Sequence, residues 1–239
     1  GSEMCIRDSS TGLDSRVLGL PTTHLELSDA SAVTALEQLI REHKVTSVVH
    51  LAALKQVGQS VEKPEEYFLK NLGGQANLLT AMKNTGVKKF VFSSSAASYG
   101  VPDVDLVAET ETPNPINPYG QTKLIGEWMA HNAQTAWGLS HVSLRYFNVA
   151  GAGWPDLADT QKLNLIPIVF AALKAGTKPK VFGSDYPTPD GSCIRDYVHV
   201  MDLAKAHVAA LDYLNEESRP YSVFNVGTGT GSSVLEVMD

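Results

Sequence analysis

Tyr119 and Lys123 stand four residues apart in the run Pro118-Tyr119-Gly120-Gln121-Thr122-Lys123, with Ser93-Ser94-Ser95 upstream. Residues i and i+4 share one face of a helix, so a phenol and an ammonium at this spacing can meet one substrate. The lysine charge favours the phenolate, drawing an acid of pKa about 10 towards working pH. A serine hydroxyl at the end of a nearby strand can hydrogen-bond the same substrate oxygen. Such a trio makes a general base for taking the proton of an alcohol while a hydride leaves its carbon. Taken alone, the pair fits an exposed helix turn better, because chance readily supplies the same spacing. The elements around it decide.

Those elements alternate. Ser28 or Asp29 can N-cap a helix that carries Val33, Leu36, Leu39 and Ile40 on one face. The β-branched run 45–52 suits a strand buried on both faces. A helix follows from Pro64, a favoured first-turn position, to Gly86. Residues 89–93 read as a strand ending in serines, and 119–135 as a helix with Ile125, Trp128 and Met129 turned inward. A strand over 140–145, helices over 166–174 and 201–214, and a strand over 222–226 complete the pattern. Strands alternating with helices imply crossover units, so the fold class is α/β, a Rossmann-like doubly wound parallel sheet. Ligands of such sheets bind beyond the carboxyl ends of the strands, where Ser95 and Asn148 fall.

A dinucleotide fold opens with a strand, a Gly-rich turn and a helix whose N-terminus holds the pyrophosphate. Nothing before Leu20 can serve as that turn. The run Gly227-Thr228-Gly229-Thr230-Gly231 comes late in the chain with no acidic residue at the usual distance, and reads as a substrate-side loop.

Composition narrows the classes. The 239 residues are 43% hydrophobic and 19% charged, as in ordinary globular proteins. A net charge of −7 and a pI near 5.5 argue against nucleic acid as a partner. No apolar run approaches the ~18 residues of a membrane span. Cys5 and Cys193 are far apart, and the 7 histidines lack metal-ligand spacing, so neither a disulfide framework nor a metal site is expected. A reducing, cytoplasmic setting fits. Gly1-Ser2 reads as a cloning scar and Met4 to Ser9 as foreign sequence, with no apolar core of a signal peptide. Ordered native sequence is expected from near Leu20.

Several runs stand in a telling order: His50-Leu51-Ala52-Ala53-Leu54-Lys55-Gln56-Val57-Gly58, Phe92-Ser93-Ser94-Ser95-Ala96, the Tyr119 run, and Arg145-Tyr146-Phe147-Asn148. The most distinctive is Phe182-Gly183-Ser184-Asp185-Tyr186-Pro187-Thr188-Pro189-Asp190-Gly191, continuing through Arg195-Asp196-Tyr197-Val198-His199-Val200 to Asp202. Together they resemble the extended short-chain dehydrogenase/reductase family, most closely its UDP-glucose 4-epimerase branch, from about Leu27 to Asp239. The resemblance implies NAD as cofactor, a UDP-sugar as substrate and a homodimer paired through the helix before Gly86 and the Tyr119 helix. It further implies a chain cut at both ends, without the first strand and Gly-rich turn and without the last part of the sugar-nucleotide lobe. The expected organisation is a non-native or disordered leader over 1–19 and an incomplete NAD-binding domain over 20–150. An incomplete UDP-sugar region follows over 151–239, of which 193–230 returns to the main sheet.

Carried over residue by residue, the resemblance makes Tyr119 the base on the sugar 4-hydroxyl, with Ser95 sharing its hydrogen bond. Lys123 would hold the nicotinamide ribose and help ionise Tyr119. Asp29 falls near the adenine, while Leu51, Ala52, Lys55 and Asn71 lie along the cofactor and Phe147 flanks the nicotinamide. Asn148, Asn164 and Arg195 would face the UDP-sugar. Without the resemblance, Lys55 reads as a solvated lysine, Arg195-Asp196 as a surface ion pair and Asn148 as a turn cap. Ser93 and Ser94 read as strand-end backbone partners, and His50, His199 and His207 as packing residues. Sugar dehydratases of the family carry Asp-Glu after the serine position and decarboxylases a Glu. Ala96-Ala97 stand there in this chain, and methyl groups transfer no protons. That favours C4 epimerisation of a UDP-hexose, UDP-galactose to UDP-glucose, by transient oxidation to the 4-ketose. The alternatives are a UDP-N-acetylhexosamine or pentose 4-epimerase, or a non-catalytic fragment.

Overall fold

In the computed structural model, which describes residues 5–7, 20–159, 163–216 and 222–239, strands alternate with helices as the pattern requires. The first elements are β1 (Cys5–Arg7), β2 (Thr22–His24), α1 (Ala32–Glu42), β3 (Ser47–His50), α2 (Val57–Glu62), α3 (Pro64–Tyr67) and α4 (Gly74–Thr85). Then come β4 (Lys89–Ser93), α5 (Pro118–Trp137), β5 (Ser140–Tyr146), β6 (Asn148–Ala150), α6 (Leu165–Lys174), β7 (Ile194–His199) and α7 (Val200–Tyr213). The chain closes with β8 (Val223–Val226), β9 (Gly231–Ser233) and α8 (Val234–Met238). A π-helical turn, Phe68–Gly73, joins α3 to α4, and a 3-10 turn, Ala96–Tyr99, follows β4. Among the described residues no helix is long and apolar enough to cross a membrane.

The chain divides into two compact units, Gly1–Arg145 with His207–Phe224, and Tyr146–Ala206 with Asn225–Asp239. The first unit holds a sheet of order β3-β4-β5-β8, with β3–β4 and β4–β5 parallel. This is the expected Rossmann-like α/β fold. Parallel neighbours need a crossover, which α2, α3 and α4 supply between β3 and β4, and α5 between β4 and β5. Phe90, Val91 and Phe92 of β4 are all buried, as a strand covered on both faces demands. Leu36, Ile40, Leu78, Met82, Phe90 and Leu139 share the core that joins α1 and α4 to the sheet. Helix ends follow the glycines: Gly86 and Gly138 cap α4 and α5 in the left-handed region at φ 79° and 77°. In the second unit β6-β7-β9 form a small sheet, parallel between β6 and β7 and antiparallel between β7 and β9.

Several expectations need correction. Helix α1 starts after Ser31, because the Glu26 carboxylate takes the Ser28 hydroxyl at 2.7 Å and amide at 3.1 Å, locking Ser28 into the preceding turn. Trp128 is 56% exposed rather than inward. The buried face of α5 is filled by Thr122, Lys123, Gly126, Glu127 and Ala130, so the large apolar residue is turned out. Of the stretch 193–230, β8 joins the main sheet but β7 belongs to the small one. Within the segment read as a leader, Cys5–Arg7 form a strand in parallel register with β2; three residues are too few to show a period. The rest of residues 1–19 lies outside the described residues.

Helices α4 and α5 touch at Gly126, whose carbonyl accepts a hydrogen bond from Gln75 Nε2 at 2.8 Å. A Cβ there would lie 2.6 Å from both Gln75 Oε1 and Phe92 Cζ, whereas one at Gly58 meets nothing within 4 Å. Gly126→Ala is therefore expected to lower unfolding stability by about 1–3 kcal/mol in urea titration, from overpacking that exceeds the helix-propensity gain. Gly58→Ala should be neutral or slightly stabilising.

Candidate active site

The carboxyl end of β4 and the first turns of α5 make the site. Asn117 caps α5 by accepting the Gly120 amide at 2.9 Å, and Pro118 occupies the first turn. Gly120 allows the helix to press on the turn after Ser95, since a Cβ there would stand 2.5 Å from the Ala97 carbonyl oxygen. Tyr119 and Lys123 are thereby buried, 8% and 3% exposed. Lys123 Nζ donates to the Ser93 carbonyl at 2.6 Å. The same ammonium lies 5.1 Å from the Phe92 ring centre and 5.9 Å from that of Tyr119. Ser95 Oγ accepts the Ala97 amide at 3.2 Å and hydrogen-bonds the Tyr119 hydroxyl. The trio read from spacing is therefore assembled.

Its electrostatics differ from the expectation. Burial pushes the Tyr119 hydroxyl above its ordinary value, Ser95 pulling it down and Tyr67 adding to the rise. Burial comes first because a phenolate loses more by leaving water than the neutral phenol does. Burial also lowers Lys123 to about 8, with the Glu127 carboxylate acting in the opposite direction. His50 stacks beside Phe90 and Phe92, ring centres 6.1 and 5.9 Å away, and is held neutral, its value lowered to about 3 by burial and then by the Lys123 charge.

The serines before Ser95 are more than backbone partners. Ser93 Oγ meets His207 Nε2 at 2.7 Å, and Ser94 Oγ donates to Glu127 Oε1, all buried. The loop after β3 carries Leu51, 62% exposed, with half-buried Ala52 and exposed Lys55. Asn71, buried in the π-helical turn, accepts the Leu54 amide at 2.8 Å and donates to the Leu54 carbonyl at 3.1 Å and Thr122 Oγ1 at 3.0 Å. Its amide thus ties that loop to α5. Tyr67, four residues earlier, grips Gln56 through its amide at 2.9 Å and carbonyl at 2.8 Å. Tyr67 was missed by the sequence reading; its nearest signal is the i, i+4 spacing from Asn71. Asp29 lies exposed on the turn before α1.

The second unit carries the other expected residues. Asn148, at the start of β6, is exposed, and Phe147 is half-buried with its amide on the Val226 carbonyl at 3.2 Å. Asn164 precedes α6 and donates to Asp159 Oδ2 at 3.0 Å. Arg195 is exposed, its guanidinium on the Ile194 carbonyl at 2.7 Å. Asp196 accepts instead from the Thr228 amide at 2.9 Å, the Thr228 hydroxyl at 2.8 Å and the Gly229 amide at 2.8 Å. The glycine loop 227–231 is thus wrapped around a carboxylate of its own unit. Among the described residues no group of three or more His, Cys, Asp or Glu is placed to hold a metal.

A family model described as the NAD dependent epimerase/dehydratase family matches residues 6–227. The chain is 44% identical over 210 residues to UDP-glucose 4-epimerase of Lacticaseibacillus casei, covering 85% of this chain and 62% of that protein. Among solved structures, UDP-glucose 4-epimerase from Brucella ovis in complex with NAD is 39% identical with a TM-score of 0.89, covering 98% of this chain and 72% of that one. UDP-glucose 4-epimerase from Bifidobacterium longum in complex with NAD+ and UDP is 38% identical with a TM-score of 0.82, covering 91% and 66%. The chain spans about 62% of the length of the curated relatives it matches.

The lysine fixes a pH dependence. Between pH 8 and the unfolded value near 10.5, the unfolded chain holds a proton on Lys123 that the folded chain has lost, so this group makes stability rise with pH. Above about 10 the raised Tyr119 acts oppositely, because the unfolded chain then loses a proton that the folded one keeps. Urea titrations at pH 8 and 10 should show a gain that Lys123→Met removes; an equal gain in both proteins would contradict the burial argument.

Proposed function

The chain belongs to the NAD dependent epimerase/dehydratase family, and we propose that the whole protein is a UDP-hexose 4-epimerase converting UDP-galactose to UDP-glucose through a transient 4-keto sugar. The observation that carries this reading is a Tyr119 hydroxyl bonded to Ser95 over the buried Lys123, with Ala96 and Ala97 next in the chain. One group that moves a proton suffices for oxidation and re-reduction at a single carbon; elimination or decarboxylation needs more.

NAD fits the residues present at the nicotinamide end. A buried ammonium has three donors, and Lys123 gives one to the Ser93 carbonyl, leaving donors suited to ribose hydroxyls. Leu51 offers apolar surface past the carboxyl end of β3, where such sheets bind ligands. When bound, NAD+ would supply the acceptor for the C4 hydride and, reduced, its donor, with no net redox change. Ser95 holds the sugar 4-oxygen, and Tyr119 takes its proton and gives it back. Lys123 stabilises the phenolate at that moment. Asn71 and Tyr67 hold the loop of Leu51, Ala52 and Lys55 in place, and Asp29 is assigned to the adenine side. Phe147 is assigned to the nicotinamide, and Asn148, Asn164 and Arg195 to the sugar nucleotide, where a planar guanidinium can bond two diphosphate oxygens. Both solved relatives named above carry NAD, and one also carries UDP.

The same proposal includes a homodimer and a reducing, cytoplasmic setting. Leu69, on the turn before α4, is 62% exposed and Trp128, on α5, 56% exposed, on the two helical segments expected to pair. Cys193 is a free thiol. The charge of −7 speaks against nucleic acid.

Two outcomes are expected. With NAD+, UDP-galactose should give UDP-glucose, and Tyr119→Phe should cut kcat by about 10²–10⁴-fold while leaving the melting temperature unchanged. A loss under tenfold would remove Tyr119 from the mechanism. In sedimentation, the protein should run as a dimer and Trp128→Glu as a folded monomer; a monomeric wild type would end the pairing proposal.

A further inference from the structure

Behind the trio lies a buried ion pair to which the reaction assigns no task. Glu127 and Arg145 are 5% and 4% exposed. Arg145 Nε and Nη2 donate to the two Glu127 oxygens at 2.9 and 2.6 Å, a two-pronged contact. Such pairs recover their desolvation cost poorly and are weak sources of stability, so a specific use is the better account of one placed here. Glu127 also accepts the Ser94 hydroxyl. Ser94 sits between the residue whose carbonyl receives Lys123 and the residue that bonds Tyr119. Along α5, Tyr119, Lys123 and Glu127 follow at intervals of four, on one buried face. Arg145 in turn lies 4.6 Å from the centre of the Tyr99 ring, at the far end of the turn that begins after Ser95.

We propose that Glu127, locked by Arg145, is a positioning residue for the reaction: through Ser94 it fixes the strand end that presents Ser95, and it provides the negative charge that lets Lys123 be buried as an ammonium beside Tyr119. The proposal rests on Ser95, Tyr119 and Lys123 being the reaction centre.

The surroundings of Lys123 single out this carboxylate. His50 on β3 is neutral, and His207 on α7 is joined to Ser93 rather than to the lysine. Tyr67 on α3 and Tyr119 are phenols held protonated, each raised first by burial. Arg145 on β5 is a cation, but it is turned onto Glu127. The Glu127 charge is what raises Lys123 against the effect of burial. Glu127 therefore has two effects that separate experimentally, one through its charge and one through its bond to Ser94.

The test is an NMR titration of the full chain labelled with 13C-lysine, the Lys123 signal being assigned by its loss in Lys123→Arg. Glu127→Gln should lower the Lys123 midpoint by about one unit or more, as loss of a nearby opposite charge does. Ser94→Ala should leave that midpoint in place yet lower kcat about tenfold at unchanged KM, as expected from a misplaced catalytic group. If Arg145 without its partner prevents folding of Glu127→Gln, the double variant Glu127→Gln/Arg145→Met removes the pair together and should show a smaller fall, because a cation leaves with the carboxylate. An unmoved midpoint in folded Glu127→Gln overturns the proposal, as does full kcat in Ser94→Ala. The titration needs no substrate. Lack of turnover in the wild-type chain would favour the non-catalytic fragment, while the midpoint still decides the role of Glu127.

Discussion

A lysine ammonium buried to 3% exposure is the constraint on which the first unit depends. An isolated charge taken out of water is costly, and side chains that bury one must be arranged to compensate. Three arrangements are visible. The Ser93 carbonyl takes one N–H, the Phe92 ring offers its π face, and the Glu127 carboxylate stands one helical turn away. Each restricts the sequence nearby. Strand β4 ends in small hydroxyl residues because α5 approaches closely, and Gly120 and Gly126 remove the side chains that would hold it off. The fold thus packs α5 tightly against the strand end that receives Lys123.

The same burial decides the state of the base. Tyr119 lies in the low-dielectric surroundings that lower Lys123, and both shifts favour uncharged forms. A phenol in this setting stays protonated in the free protein. Fixed partners act without rearrangement, which is how a preorganised site stabilises developing charge. Asn71 and Tyr67 extend this order outward. From one π-helical segment and its approach they grip the backbone of Leu54 and Gln56, holding a loop that has no regular structure of its own. A π turn inserted in a helix changes which residues share a face, and here it lets Asn71 reach both the loop and Thr122.

What was legible in the sequence follows one rule. Features written in local pattern came through: the bounds of β4, the helix stop at Gly86 and the Tyr119–Lys123 spacing. Features made by buried polar groups did not. The inner face of α5 carries Thr122, Lys123 and Glu127, so a hydrophobic reading placed Trp128 on the wrong side. Ser94 and Asn71 bond to residues 33 and 51 positions away, and no local window contains both partners. Strands β6 and β9 are three residues each, and pairing with β7 rather than period defines them. The glycine loop 227–231 reads from sequence as a substrate-side loop, and its tie to Asp196 needed the fold.

The central claim is that burial, not the lysine charge, governs Tyr119 in the free protein. It is tested most directly by a 13C NMR titration of the chain labelled at the tyrosine ζ-carbon, with the Tyr119 signal identified by its loss in Tyr119→Phe. The account predicts a midpoint above the ordinary value of 10 in the absence of any ligand. A Tyr119 that ionises below 10 in the free chain would contradict it, and would return the activation of the base to Lys123 alone.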